Sequence, residues 1–533
     1  MFSFIIRKVM AGLARSQVRS GSVQDEEKVQ INISKTLSEN INSIKNIMSG
    51  SSDLITREFA FGGNQPAVLF YVDGLIDSKI INVSIIEPLM DQLKVQNLKS
   101  RLGNISVADI ARNIISVDEV KESKDQSKAV EGVLTGNAVV LIDGFDSCLI
   151  ISSKGWDKRT ISAPSSESVV RGPRESFTEN LLTNTSMIRR KIKSPDLAME
   201  TMALGSQTQT LIALAYIKGI ANTELIQDIK ERLNTIHTDS ILESGYIEQF
   251  IEDAPFSLFA TVGNTERPDV VAAKLLEGRI AIVVDGTPVV LTAPLLFIEN
   301  FQTSEDYYSR PYFMSMLRIV RYLAFFASVL VPGVFVAITT YNQELIPTDL
   351  LFTMSAARES IPFPAFEECF IMLTAFEILR EAGVRLPQTV GQAMSIVGAL
   401  VLGQAAVSAG IVSTPMVIVV AITAVSIFAI PSLADAAAIL RIIFLILGGT
   451  MGGFGIIIGL LGTLVHLSSL KSFGFPYLSP IAPFQAEDTK DIAFRSFLWL
   501  MISRPMGMAH RNMKRKDYMV PPAKESDYNS EAN

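Results

Sequence analysis

Charge divides this chain in two. Through the first 316 residues short apolar runs alternate with polar and charged ones, whereas residues 322–343, 391–434 and 442–470 contain no Asp, Glu, Lys or Arg. A helix of roughly 20 apolar residues crosses a hydrocarbon core. The pattern therefore predicts membrane spans at about 323–340, 392–412, 415–430 and 442–467, the first kinked or unwound at Pro332-Gly333. Residues 364–380 are too short an apolar stretch for a comfortable crossing and carry Glu367, Glu368 and Glu377. They read as an interfacial helix, a re-entrant hairpin or a span lining a polar cavity.

In the charged half, short runs of alternating or continuous apolar residues end three times in Asp-Gly, at Asp73, Asp143 and Asp285. Asp-Gly between β-branched runs predicts hairpins with type I′ turns. Turn chemistry accounts for the three carboxylates without a metal or catalytic role. Residues 84–100, 107–116 and 208–234 show helical spacing, and 194–253 reads as mainly helical. The fold class expected is two-part: a cytoplasmic α/β amino-terminal region, then an all-α transmembrane helical domain. The boundaries are a polar flexible arm (1–45), a first α/β subdomain (46–195), a second (196–316), the helical domain (317–470) and a basic tail (471–533).

Composition adds limits. Mean hydropathy is +0.32, high for a soluble enzyme, and the net charge of −7 argues against a nucleic-acid partner. Two distant cysteines and three isolated histidines give neither a disulfide framework nor a metal spacing. No phosphate-binding loop, nucleophile elbow or metalloprotease motif is present in its required context, so no enzyme activity, cofactor or metal is expected. The first apolar run is too short for a signal peptide, which leaves the large amino-terminal region in the cytoplasm. The tail holds nine Lys or Arg, including Lys514, Arg515 and Lys516, and is expected there too. Both ends on one side require an even number of crossings, and four is the simplest count.

Three sets of residues invite a role. Gly448, Gly452, Gly455, Gly459 and Gly462 repeat with a 4-3-4-3 spacing that clears one stripe of a helix for close packing; a flexible gating helix is the alternative. Ionisable groups in hydrocarbon cost roughly 2.5–3.5 kcal/mol on insertion scales. Glu367, Glu368 and Glu377 are therefore candidates for an ion path, unless they sit in water at the interface. Gln404 and Ser408 either hydrogen-bond between helices or join that path. Arg171, Arg174, Arg189, Arg190, Lys191 and Lys193 with Glu175 and Glu179 form either an ion-pair network between domains or subunits, or a solvated face.

Several long stretches resemble one family. They are RGPRESFTENLLTNTSMIRRKI (171–192), ILESGYIEQFIED (241–253), ERPDVVAAKLLEGRIAIVVDGTPVVLTAP (266–294) and ENFQTSEDYY (299–308). The helical half adds IPFPAFEECFIMLTAFEILREAGVRLP and GQAMSIVGALVLGQAAVSAGIVS. In this order, over about 55–484, they resemble the GerA-type A subunits of spore germination receptors. The resemblance implies an integral protein of the bacterial spore inner membrane that works with a transporter-like B subunit and a lipoprotein C subunit. It implies a homo-oligomer that senses nutrients and forms or gates a path for monovalent cations. It also favours the network reading of the 171–192 charges. A non-conducting scaffold or relay subunit is the alternative, and a secondary transporter component a further one, although inverted repeats are not evident.

Overall fold

The computed structural model describes residues 32–102, 106–155, 164, 167, 169–385, 403–485, 488–501 and 503–505. These separate into two compact units. The first holds residues 55–72 and 76–154 with the segment before residue 47; the second holds 47–54, 73–75 and everything from 155 onward.

The first unit opens on helix α1 (Leu37–Ile47), within the segment expected to be a flexible arm. Leu37, Asn40 and Ile44, spaced three and four apart, turn one face inward and give the arm a reason to fold. Strands β1 (Leu54–Phe61) and β2 (Gln65–Val72) follow, then a π-helical turn, Ile80–Ile86, that continues into Glu87–Met90. Next come α2 (Gln92–Leu102), α3 (Val107–Asn113), β3 (Val120–Ser123), α4 (Gln126–Leu134), β4 (Asn137–Ile142) and β5 (Cys148–Ser152). The sheet order is β1-β2-β4-β5-β3. Burial within this sheet pushes the Cys148 thiol up to about 12, which makes it an inert core group.

The second unit repeats this plan. Helix α5 (Leu181–Lys191) precedes β6 (Leu197–Leu204), β7 (Thr210–Ile217), α6 (Thr223–Asn234), α7 (Ser244–Ile251), β8 (Gly263–Thr265), α8 (Pro268–Leu276), β9 (Ile280–Val284) and β10 (Val290–Ala293). Its sheet order, β6-β7-β9-β10-β8, is the first order over again. Helices α6 and α7 cover one face, packing Leu225, Ile229, Leu233 and Ile247 against Ile212, Leu214 and Ile282. Helices α5 and α8 cover the other, packing Ile188, Val271 and Leu275 against Met199, Ala213 and Val283.

The repeat extends to single hydrogen bonds. Asp143 accepts from the Leu37 N–H that opens α1 (3.0 Å), and Asp285 accepts from the Leu181 N–H that opens α5 (2.9 Å). Gly144 N–H donates to Lys35 O and Gly286 N–H to Glu179 O. Asn40 brackets Ser34 with two bonds of 2.9 and 2.6 Å, and Asn184 brackets Thr178 with two of 2.7 and 2.6 Å.

Several expectations change. Asp73-Gly74 closes no hairpin; it ends β2 as Lys218-Gly219 ends β7, each glycine with a positive φ (79° and 74°). The other two Asp-Gly pairs do join antiparallel strands, but through five-residue loops in which the glycine, not the aspartate, takes the positive φ. The aspartate is thereby free to cap a helix. Residues 210–217, expected to be helical, form a buried strand, because an apolar run this short carries no period that separates the two.

From residue 311 to 469 the described chain is mainly helical. Helix α9 (Pro311–Thr340) runs about 45 Å and continues through Pro332 as one helix, without unwinding. It is followed by α10 (Thr348–Arg358), α11 (Ala365–Arg385), α12 (Gly403–Ser408), α13 (Thr414–Ile427) and α14 (Ala434–Ser469). Among the described residues, Pro311–Thr340 and Pro431–Ser469 are long and apolar enough to cross a membrane. Most of the run 392–412, expected as a span, lies outside the described residues.

The expected span 442–467 is not one straight helix. At Gly452 the backbone leaves helical geometry (φ 61°, ψ −146°), and the chain folds back on itself. A Cβ on Gly459 would stand 2.7 Å from the ring of Phe444, and one on Gly455 would strike the Leu447 carbonyl. In a straight helix residues 444 and 459 would be about 22 Å apart. So α14 is a hairpin of two arms, 434–451 and 453–469, each about 25–27 Å long.

Candidate functional site

The elements just described place charged and polar side chains at two levels of the helical block. The body end is marked by Phe259, Phe297 and Phe301 of the α/β portion, which pack with Phe325 of α9 and with Ala436, Leu440 and Leu467 of the two arms. The far end is marked by Tyr341, which follows α9. Its hydroxyl donates to the carbonyls of Gly449 and Thr450 (3.1 and 3.0 Å), and its ring lies against Gly452. Helix α9 and the first arm therefore run away from the body, and the second arm returns. Helix α11 also returns, with Phe366 against Gly449 and Glu377 reaching Arg441. Helix α13 returns from Met416, packed with Val336, to Ile427 at the body end.

Within this block the three expected glutamates do not converge. Glu367 is exposed. Glu368 is fully buried and accepts from both the backbone N–H and the hydroxyl of Ser413, at 2.6 and 2.5 Å. Ser413 precedes α13, so this carboxylate sits at the positive end of that helix, where negative charge is stabilised. Arg358 approaches its other oxygen at 3.7 Å. Glu377, nine residues and about 13 Å further along α11, binds Arg441 (2.9 Å) and Arg380 (2.8 Å). Gln404 and Ser408 lie exposed on α12.

The glycines are also divided. Gly448 meets the carbonyl of Gly333 in α9, while Gly455 and Gly459 receive the first arm. Gly452 forms the fold between the arms, and Gly462 has open space beside it. The spacing marked a helix built for close approach but could not reveal that its partner is its own first half.

The second level lies at the body end, where Tyr307, Arg318 and Arg321 suit a helix entering a membrane interface by sequence but their acidic partners gave no local signal. Arg318, buried in α9, pairs with buried Asp306 (3.1 Å) and with Asp491 (3.1 Å), and it donates to the carbonyls of Asp491 and Ile492. Arg321 holds the same Asp306 at 2.9 Å. Tyr307 donates to Asp491, and Gln302 to its carbonyl. Burial and then the Asp491 carboxylate push the Tyr307 phenol well above its ordinary value, so it stays protonated and donating. Thus a strap of residues 488–497, from the segment read as a basic tail, ties the start of the first apolar helix to the α/β body. The positive charges of Arg318 and Arg321 were visible beforehand; their distant acidic partner was not.

The end of the second arm is held likewise. His466 Nε2 lies 3.0 Å from the Ser257 hydroxyl, and Phe259 packs beside its ring. The chain then forms a two-stranded ribbon, β11 (Lys471–Ser472) with β12 (Phe475–Pro476). Phe473 enters the core of the second sheet beneath Arg232, while Ser472 bonds Thr261 and Leu295.

The 171–192 charges separate. Arg189 is buried and grips Asp53 through two nitrogens (2.8 and 2.9 Å), with Ser51 beside it. Arg190 and Lys191 each reach Glu175 at 3.4 Å. Glu179 contributes its backbone carbonyl to Gly286, and Arg171 and Arg174 are exposed. No group of three or more His, Cys, Asp or Glu is placed to hold a metal among the described residues.

Comparison with known proteins brings these features together. The family model described as Bacillus/Clostridium GerA spore germination protein matches residues 42–507. The chain is 48% identical over 506 residues to spore germination protein KA of Bacillus subtilis, covering 94% of this chain and 92% of that one. It is 43% identical over 491 residues to an uncharacterized membrane protein, YfkQ, of the same organism (91% and 94%). It is 37% identical over 473 residues to spore germination protein GerLA of Bacillus cereus (88% and 95%). Among solved structures, the N-terminal domain of the A subunit of the Bacillus megaterium germinant receptor GerK3 matches at 38% identity and a TM-score of 0.41. That match covers 51% of this chain and 99% of the domain.

Proposed function

Because this chain belongs to the GerA family of spore germination proteins, with the role in germination that membership carries, we propose that it is an integral A subunit of a nutrient germinant receptor. It sits in the spore inner membrane and converts nutrient binding elsewhere in the receptor into movement of its apolar helices. The observation that carries this reading is the double attachment of the second α/β unit to the helical block. The Asp306–Arg318–Asp491 network holds α9, and the Ser257–His466 and Phe473 contacts hold the second arm. A displacement of the body is thereby delivered to two helices at once.

Membrane insertion is supported by the apolar lengths of α9 and α14 and by the membrane relative. Five described segments, α9, α11, α13 and the two arms, run to and fro across one slab. Every end of α9, α13 and α14 that meets the body lies on a single side, and this is the side we assign to the cytoplasm. Partners of this subunit would be a transporter-like B subunit, a lipoprotein C subunit and further copies of itself.

For a cation path, Glu368 and Glu377 are committed to Ser413, Arg380 and Arg441 and hold the block together. Exposed Glu367, Gln404 and Ser408 face outward from a single chain, and a path would form where copies bring them together. The test is potassium release from liposomes containing assembled protein. Glu367→Gln should change the selectivity or size of the flux without altering assembly. Unaltered flux in that variant, or no flux from well-assembled protein, would leave this subunit as a relay and move conduction to a partner.

A further inference from the structure

Phe256 is fully exposed, in a segment that the structure holds firmly on both sides. Before it, Asp253 pairs with Arg232 (2.7 Å) and accepts from the Phe473 N–H. After it, Ser257 N–H closes a turn onto Ala254 O (2.9 Å), and the Ser257 hydroxyl meets His466. Ala254 packs against the cluster at the body end, so Pro255 and Phe256 project, and Pro255 stiffens them. A large aromatic ring displayed rigidly in water is a conspicuous liability, and its neighbourhood suggests a use.

His466 lies near the end of the second arm. Just before it, Leu461, Leu464 and Val465 are exposed, continuing the outward apolar face of that arm towards the loop. Phe256 stands one residue from the group touching His466, so it sits at the depth where the arm leaves its apolar surroundings. Phe250 and Tyr246, one and two turns back along α7, are exposed as well. We propose that the 254–256 loop dips into the headgroup–acyl boundary of a lipid bilayer, with Phe256 as an anchor that holds the second α/β unit against the membrane. This rests on the reading that the apolar helices span that membrane. Aromatic side chains favour this layer. Glu252, four residues before Phe256, makes a zwitterionic lipid surface a better match than an anionic one.

The test uses the full chain in phosphatidylcholine nanodiscs, with Trp156→Phe and Trp499→Phe to remove the native indoles. Phe256→Trp is then read for quenching by acyl-brominated lipid and by aqueous acrylamide, beside Leu461→Trp on the arm. Quenching of both indoles by brominated lipid, with at least a severalfold loss of acrylamide sensitivity relative to denatured protein, is the expected result. Quenching at 461 but not at 256 overturns the anchor alone, whether residue 256 proves open to acrylamide or shielded from it by protein. No lipid quenching at either position overturns the membrane reading and the anchor with it. Because both positions are exposed, neither indole disturbs the core.

Discussion

Asn184 shows how much one side chain organises here. It is fully buried, and its two bonds to the Thr178 backbone fix the approach to α5, as Asn40 fixes the approach to α1. Asn184→Ala leaves a buried donor and acceptor unmatched, at a cost of about 1–3 kcal/mol. The expected outcome is a lower Tm, followed by thermal unfolding of the full chain in detergent; an unchanged Tm would contradict it. Glu248 gives a pH-dependent counterpart. Burial first, then Glu252 and Glu243, raise its pKa from 4.5 to about 7. The folded protein thus retains a proton that the unfolded chain releases. Its stabilising share is complete below about pH 4.5 and is lost as pH rises through about 7. Glu248→Gln should therefore raise Tm at about pH 8 and have little effect at about pH 4, with a gain on the order of 1 kcal/mol after solvent screening. Equal gains at both pH values would sink this account. At this scale the sequence was partly legible. Asp143 and Asp285 announced turns through their glycines, but their capping of α1 and α5 depends on partners more than 100 residues away.

Among the elements, the hairpin of α14 makes the sharpest forecast. A single stripe on a straight helix would make Gly455, Gly459 and Gly462 equally sensitive to substitution. In the folded-back pair, Gly459→Ala meets the Phe444 ring and Gly455→Ala meets the Leu447 carbonyl, whereas Gly462→Ala meets nothing. Overpacking of this kind costs about 1–3 kcal/mol. Proteolytic resistance and Tm of the first two variants should fall while the third matches the parent; uniform behaviour would argue for the straight helix. Glycine spacing told the sequence reader that backbones come close, but not that the chain reverses. An apolar run of hairpin and one of long helix have the same composition, and only the positive φ at Gly452 separates them. Strand β7 was missed for a related reason, since its neighbours β6 and β9 supply the period that its own eight residues lack.

For the whole molecule, division into an α/β region and an apolar helical region was plain from charge alone. What the sequence hid was the coupling between them, because it joins Arg318 to a carboxylate in the last tenth of the chain. Arg318→Met leaves buried Asp306 with Arg321 as its remaining ion-pair partner and Asp491 with the Tyr307 hydroxyl alone on that side, at a cost of up to about 3–5 kcal/mol. The strap should loosen, and limited proteolysis should cut near residues 488–497. Germination response should be lost while the variant still assembles with its receptor partners. A variant with a tight strap and a normal response would show that the network is not the relay.

The strap also sets an order of events during synthesis. Arg318 emerges from the ribosome 173 residues ahead of the acid that completes its site, which at cellular elongation rates is a delay of roughly 10–30 s. Throughout that interval the first apolar helix has left the ribosome without its final clasp, free to settle among its neighbours before being tied to the body. A chain stopped short of residue 488 would keep the Ser257–His466, Phe473 and Asp306 contacts but lack the clasp that Asp491 adds to its first apolar helix.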